Sequence, residues 1–112
     1  MPCNKKPLIN LAPMIIYNVT TIIEEEVHEA YIQYMKNVHM PEVMATGKFV
    51  DCHLLRLTEP VNEGITYCAQ YVTDEADKLA DYRENYSPKL QQDIQMKFAN
   101  KFVSFRSVLE KV

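Results

Sequence analysis

Val38-His39-Met40-Pro41-Glu42-Val43-Met44-Ala45-Thr46-Gly47-Lys48-Phe49 divides the chain. The run closes a long helical segment and launches a strand. Pro41 cannot donate a backbone hydrogen bond, so it kinks the helix or opens a short second one as its first residue. Gly47 supplies the left-handed C-terminal cap. Upstream, Met14 to Ile22 is β-branched and aromatic, the composition of a strand buried on both faces. Glu24-Glu25-Glu26 then sets three carboxylates at the positive end of a helix dipole. Val27, Tyr31, Tyr34, Met35 and Val38 recur at helical spacing and predict the apolar stripe.

Downstream, Phe49 to Leu57 predicts a second strand and Ile65 to Val72 a third. The short turn-rich link Thr58 to Gly64 makes them an antiparallel hairpin. Thr73-Asp74-Glu75 caps a helix with Ala76, Leu79, Arg83 (by its stem) and Tyr86 on one stripe. Ser87-Pro88 interrupts that helix and restarts it as N-cap and first position, with Leu90, Ile94 and Phe98 inward. Asn100 ends it, and Phe102 to Leu109 is the last strand. The order βαββαβ defines an α+β, ferredoxin-like fold, a four-stranded antiparallel sheet with two helices on one face.

The chain has 112 residues, which fits one domain. We expect a leader over 1–13, with Met14 a conceivable natural start, and a single domain over 14–112. A hydrophobic fraction of 47% with 24% charged residues is that of a globular protein. The net charge of −3, without a basic run, argues against a nucleic-acid partner. No apolar stretch approaches the ~20 residues of a membrane span, and the N-terminus lacks a convincing signal peptide. The three cysteines, Cys3, Cys52 and Cys68, are too scattered for a disulfide framework or a zinc site. A cytoplasmic protein with reduced thiols is the simplest expectation, with no metal and no cofactor.

Helices on one face leave the other bare, and a solvated bare face should be polar. Here both sides of the strands are largely apolar. We assign Asn18, Asp51, His53, Ser104 and Arg106 to the bare face as polar groups embedded in it. An exposed apolar face of this extent marks an interface, and a second copy packed sheet to sheet, a homodimer, is the expected cover.

The strand Met14 to Val19, the quoted run from His39 to Phe49, Gly64 to Tyr71 and Lys101 to Arg106 together resemble a bacterial family of about a hundred residues with no assigned function. The resemblance covers Met14 to Val112. The His-x-Pro helix end before a Gly-x-Phe strand is more loosely similar to the dimeric α/β-barrel superfamily. That group includes antibiotic-biosynthesis-type monooxygenases, muconolactone isomerases and stress-responsive barrel proteins. The resemblance implies a barrel of two sheets, often with a ligand cavity between sheet and helices. It carries over no catalytic residues.

The residues themselves offer cavity candidates. A histidine beside a carboxylate and an arginine can transfer protons or hold an anion, which singles out Asn18, Asp51, His53 and Arg106. A satisfied polar network at a dimer interface is the simpler account of the same cluster. The phase of the third strand leaves Gln70 or Tyr67 free to join it. His39 and Glu42, three apart around Pro41, can point at one ligand, though a cation at a helix C-terminus explains His39 as well. Two such groups do not make a metal site. Cys52 and Cys68 can neighbour each other across the hairpin, more simply as small core residues. Tyr17, Tyr67, Tyr71 and Phe105 read as aromatic core rather than as an RNA-stacking platform.

No phosphate loop, nucleophile elbow or Cys-x-x-Cys is present. Three functions follow as expectations. The first is a homodimeric small-ligand-binding or regulatory module with its cavity near His39, His53 and Arg106. The second is a cofactor-free enzyme of monooxygenase or isomerase type, with His39 or His53 as base. The third is a structural protein-interaction domain using the bare sheet face.

Overall fold

The computed structural model describes residues 13–112. The expected leader lies outside the described residues except for Pro13. Four strands, β1 (Ile15–Ile23), β2 (Asp51–Arg56), β3 (Ile65–Thr73) and β4 (Phe102–Glu110), form one antiparallel sheet in the order β2-β3-β1-β4. This is the ferredoxin-like α+β architecture expected from the element order. The helical segments are α1 (His28–Tyr34), α2 (Met40–Ala45), α3 (Ala76–Asn85) and α4 (Ser87–Lys97). No helix among the described residues is long and apolar enough to cross a membrane.

The register fixes which side chains share a face, because alternate residues point to opposite sides. Tyr17 pairs with Tyr71, Val19 with Ala69 and Thr21 with Tyr67. This face carries the core: Ile15, Tyr17, Ile23, Tyr67, Ala69 and Tyr71 are buried against Tyr31, Met35, Leu79 and Tyr82. Phe49 precedes β2 rather than starting it, and its ring packs edge-on to Tyr82 with centroids 4.9 Å apart. A strand tolerates that loss of two residues because Val50 still donates to the Val72 carbonyl at 2.8 Å.

The opposite face is organised in rows. Ser107, Asn18, Gln70 and His53 lie side by side across all four strands. Asn18 Nδ2 donates to Thr20 Oγ1 at 2.9 Å and to Ser107 Oγ at 3.3 Å, and Gln70 Nε2 donates to Asn18 Oδ1 at 3.2 Å. The flanking rows hold Leu109, Ile16 and Val72 on one side and Phe105, Cys68 and Leu55 on the other. Val103 is 62% and Phe105 57% exposed on this face. Charge placement at the ends of the sheet is local: Lys101 Nζ lies 2.9 Å from a Glu26 carboxylate oxygen and 3.7 Å from one of Glu24.

Several expected details change. Glu25–Val27 is a short 3₁₀ turn, so the three glutamates precede α1 rather than fill its first turn. Ala76 and Tyr86 are exposed, and the inward pair of α3 is Leu79 with Tyr82, three residues apart. Arg83 is exposed overall but reaches inward, its guanidinium carbon 5.3 Å from the ring centroid of the buried Tyr17. Ser87 begins α4 but makes no side-chain cap. Cys52 pairs with Tyr71 and Cys68 with Leu55, so the two thiols occupy opposite faces and are not neighbours. Gly47 and Asn100 do take the left-handed conformation, with φ of 75° and 64°.

Candidate functional site

A cavity of about 340 Å³ lies between the sheet and the helices. Its floor is the centre of the core face, Tyr17, Val19, Thr21, Ala69 and Tyr71. Tyr31, Met35 and His39 wall it on one side, and Tyr82, Gln91 and Gln95 on the other. Ser104 and Arg106 enter from β4.

His39 reaches this cavity through a defect in the first helical segment. Between α1 and α2, Met35–His39 is a π turn, closed where the Met40 amide bonds the Met35 carbonyl. A four-residue step overshoots an α-helical turn by about 40°. Steps from Tyr31 through Met35 and His39 to Val43 would therefore drift about 120° around the axis. The π turn absorbs one residue and cancels most of that drift. All four side chains are buried as a result. Val38, expected on the inward stripe, is 41% exposed, and His39 at 7% takes the inward place.

Two residues that line the cavity each bury a polar atom with nothing to bond. His39 Nδ1 and the Tyr71 hydroxyl are buried and have no hydrogen-bond partner. Buried polar groups are ordinarily paired, so each unpaired one needs an explanation. Burial, aided by the Arg106 charge, pushes the His39 pKa down to about 4, so the ring is neutral near pH 7. Asp93 opposes that shift weakly, and its carboxylate is already 2.9 Å from Lys89 Nζ. Burial drives the Tyr71 phenol well above its ordinary value and pushes Tyr82 up to about 12. The Tyr34 ring lies roughly parallel to His39, with centroids 6.4 Å apart and 25° between the planes.

The expected site residues therefore separate. Only His39 and Arg106 meet in the cavity. Arg106 and Ser104 pair with Val19 and Thr21, which puts them on the helix-covered side and corrects their placement on the bare face. Asn18, Gln70, Asp51 and His53 do lie on the bare face, where His53 Nε2 is 3.7 Å from Asp51 Oδ2 in an exposed pair. Glu42 is exposed and does not line the cavity. Tyr67 belongs to the helix side, its hydroxyl 3.0 Å from His28 Nδ1. Among the described residues no three of His, Cys, Asp and Glu gather as metal ligands. The Tyr71 hydroxyl, Gln91 and Gln95 were missed from the sequence. The signal for the amides was present: two glutamines one turn apart beside Ile94 on α4.

Fold and cavity together define a ferredoxin-like α+β protein with a pocket of mixed polar and apolar lining between sheet and helices. The chain belongs to the DUF4286 family, a domain of unknown function, whose model matches residues 14–112. A comparison with curated protein sequences finds no match. Solved structures share the fold. An ethyl tert-butyl ether d (ethd) family protein from Bacillus halodurans is 16% identical with a TM-score of 0.65, covering 88% of this chain and 99% of its own. A Dabb family protein with a ferredoxin-like fold from Mesorhizobium loti is 12% identical at 0.64, over 85% and 95%. SnoaB, a cofactor-independent oxygenase from Streptomyces nogalater, is 11% identical at 0.62, over 86% and 90%.

Proposed function

We propose that the protein is a homodimeric small-molecule-binding module whose ligand occupies the cavity around His39 and Tyr71. The observation that carries this reading is the cavity of about 340 Å³ between sheet and helices, lined by His39, Gln91, Gln95 and Arg106, with two unpartnered polar atoms, His39 Nδ1 and the Tyr71 hydroxyl, buried within its wall residues. Leaving two such groups unpaired costs on the order of 1–3 kcal/mol each. The cavity also carries the Arg106 guanidinium and the Gln91 and Gln95 amides, polar groups able to orient a ligand. The homodimer is supported by the exposed Val103, Phe105, Leu55 and Leu109 on the bare face. The hydrogen-bonded row through Asn18 and Gln70 gives two such faces a register.

A cofactor-free enzyme of the oxygenase or isomerase type is the second reading. Its support is a buried imidazole held neutral, the state a general base needs, and fold likeness to a cofactor-independent oxygenase. His53 has no part in it, because it lies on the other side of the sheet.

Native mass spectrometry of the protein as purified tests the binding reading. A species of two 13.0 kDa chains plus a small adduct lost on denaturation is the expected result. The reading is overturned if the dimer carries no adduct and also fails to take up any ring compound of cavity size. A monomer at micromolar concentration removes the homodimer from it.

A further inference from the structure

We propose that the cavity holds an organic anion, its carboxylate on Arg106 at the β4 side and its apolar body against the sheet. This rests on the reading of the cavity as a ligand site and specifies the charge of the ligand and the end that carries it.

The register puts the mouth along β4. Arg106 and Val108 pair with Val19 and Tyr17, so both point to the helix-covered side. Both are nonetheless exposed, Val108 at 46%. The helices therefore stop short of this part of β4, and Arg106 stands where the cavity meets solvent. Further in, the buried Met35 and Ala69 continue the lining. A cation at the rim of an apolar recess fits a molecule charged at one end only.

The Arg106 charge is unopposed. Among the described residues no carboxylate lines the cavity, and none forms an ion pair with this guanidinium. Acids are not scarce in a chain with 15 of them against 12 lysines and arginines, and Lys48, Lys78, Lys89 and Lys101 all hold one. The field of Arg106 reaches both walls, helping to push the His39 pKa down and holding back the rise at Tyr82. Asp93, which acts against it at His39, is 2.9 Å from Lys89 Nζ. Arg83 sets a second guanidinium 5.3 Å from the ring centroid of Tyr17, another lining residue. A planar guanidinium recognises a carboxylate through two parallel N–H donors.

Fluorescence titration at low salt with 2-naphthoate, the neutral 2-naphthamide of the same shape and the cation 2-naphthylmethylammonium tests this on the parent chain, Arg106→Gln, Gln95→Glu and Arg56→Gln. The acid should bind the parent about fivefold or more tighter than the amide, with the ammonium weakest. Arg106→Gln should erase the difference between acid and amide. Gln95→Glu sets a carboxylate in the lining and should weaken the acid by roughly threefold while leaving the amide unchanged. Arg106 and Gln95 are exposed, so neither replacement disturbs the core. Arg56→Gln removes the same charge from the end of β2, at the opposite edge of the sheet and outside the cavity, and should leave all three affinities unchanged. An equal loss in Arg56→Gln would make the effect one of net charge and overturn the proposal. If the amide binds the parent as tightly as the acid, the ligand's charge is wrong while the cavity remains a binding site. If none of the three probes binds, the proposal is overturned, and a purified dimer without an adduct then removes the binding reading as well.

Discussion

Replacing His39 with phenylalanine should abolish a stability loss that the protein suffers in mild acid. The ring has a pKa of 6.5 in the unfolded chain and about 4 in the fold. Between these values the unfolded chain takes up a proton that the buried ring refuses, so stability rises with pH across that window and is level above it. Lowering the pH from about 7.5 to about 4.5 therefore removes ~2.5 kcal/mol through this one group, at about 1.36 kcal/mol per pKa unit. His39→Phe keeps an aromatic ring against Tyr34 and deletes the unpartnered nitrogen. Its stability near pH 7.5 should equal or exceed the parent's, since removing an unsatisfied buried group is neutral or favourable. Urea unfolding followed by circular dichroism, at one chain concentration for both proteins, gives the comparison. The gap between variant and parent should widen by ~2.5 kcal/mol in the variant's favour at about pH 4.5. A gap that stays constant within about 0.5 kcal/mol would show that the His39 ring takes up a proton in the fold at ordinary cost, and that burial does not hold it neutral.

Tyr71→Phe should leave stability unchanged or raised by up to about 1 kcal/mol while weakening any ligand that bonds the hydroxyl, as read by thermal shift with and without probe. Gly64→Ala should destabilise by about 1–3 kcal/mol, because its Cβ would sit 2.8 Å from Ile22 Cγ2 and 2.9 Å from the Ile23 carbonyl; an unchanged urea midpoint would contradict this. Gly47→Ala meets no atom but forces a side chain to φ of 75°, a cost of about 1 kcal/mol by the same assay. Phe105→Asp places a charge on the bare sheet face and should convert the proposed dimer to monomer in size-exclusion chromatography with the far-ultraviolet spectrum unchanged.

The element order and the face of β1 were legible because β-branched runs and turn residues report directly on local backbone geometry. The inward choice between Val38 and His39 was not. Helical periodicity assumes a constant turn, and nothing local in Met35-Lys36-Asn37-Val38-His39 announces a π turn. Only the inward series Tyr31, Met35, His39 and Val43, spaced by fours, hints that the helix must be underwound to keep them aligned. Arg106 was misplaced for a related reason. Both faces of β4 carry apolar residues, so alternation alone did not say which faced the helices. The pairing of Arg106 with Val19 settled it, and pairing is a long-range property. Asn18 was assigned to the bare face and Gln70 left free to join it; both lie there and bond each other rather than a cavity ligand.

The two faces of the sheet treat polar groups differently, and that difference separates assembly from binding. On the bare face the central amides are satisfied within the chain, Gln70 to Asn18 and Asn18 to Ser107 and Thr20. A face whose polar groups are already paired can pack against an identical face without stranding a donor, which suits a permanent symmetric contact. On the covered face the reverse holds, and His39 Nδ1 and the Tyr71 hydroxyl are left unpaired in residues that line the cavity. A fold that only needed a core would gain stability from phenylalanine at both positions. Retaining two unpaired groups where a π turn must also be maintained is intelligible if the missing partner comes from outside the chain. Phenylalanine at both positions together should then raise the urea midpoint and abolish ring-compound binding, whereas a double variant that lost stability without losing a ligand would make the cavity a packing defect.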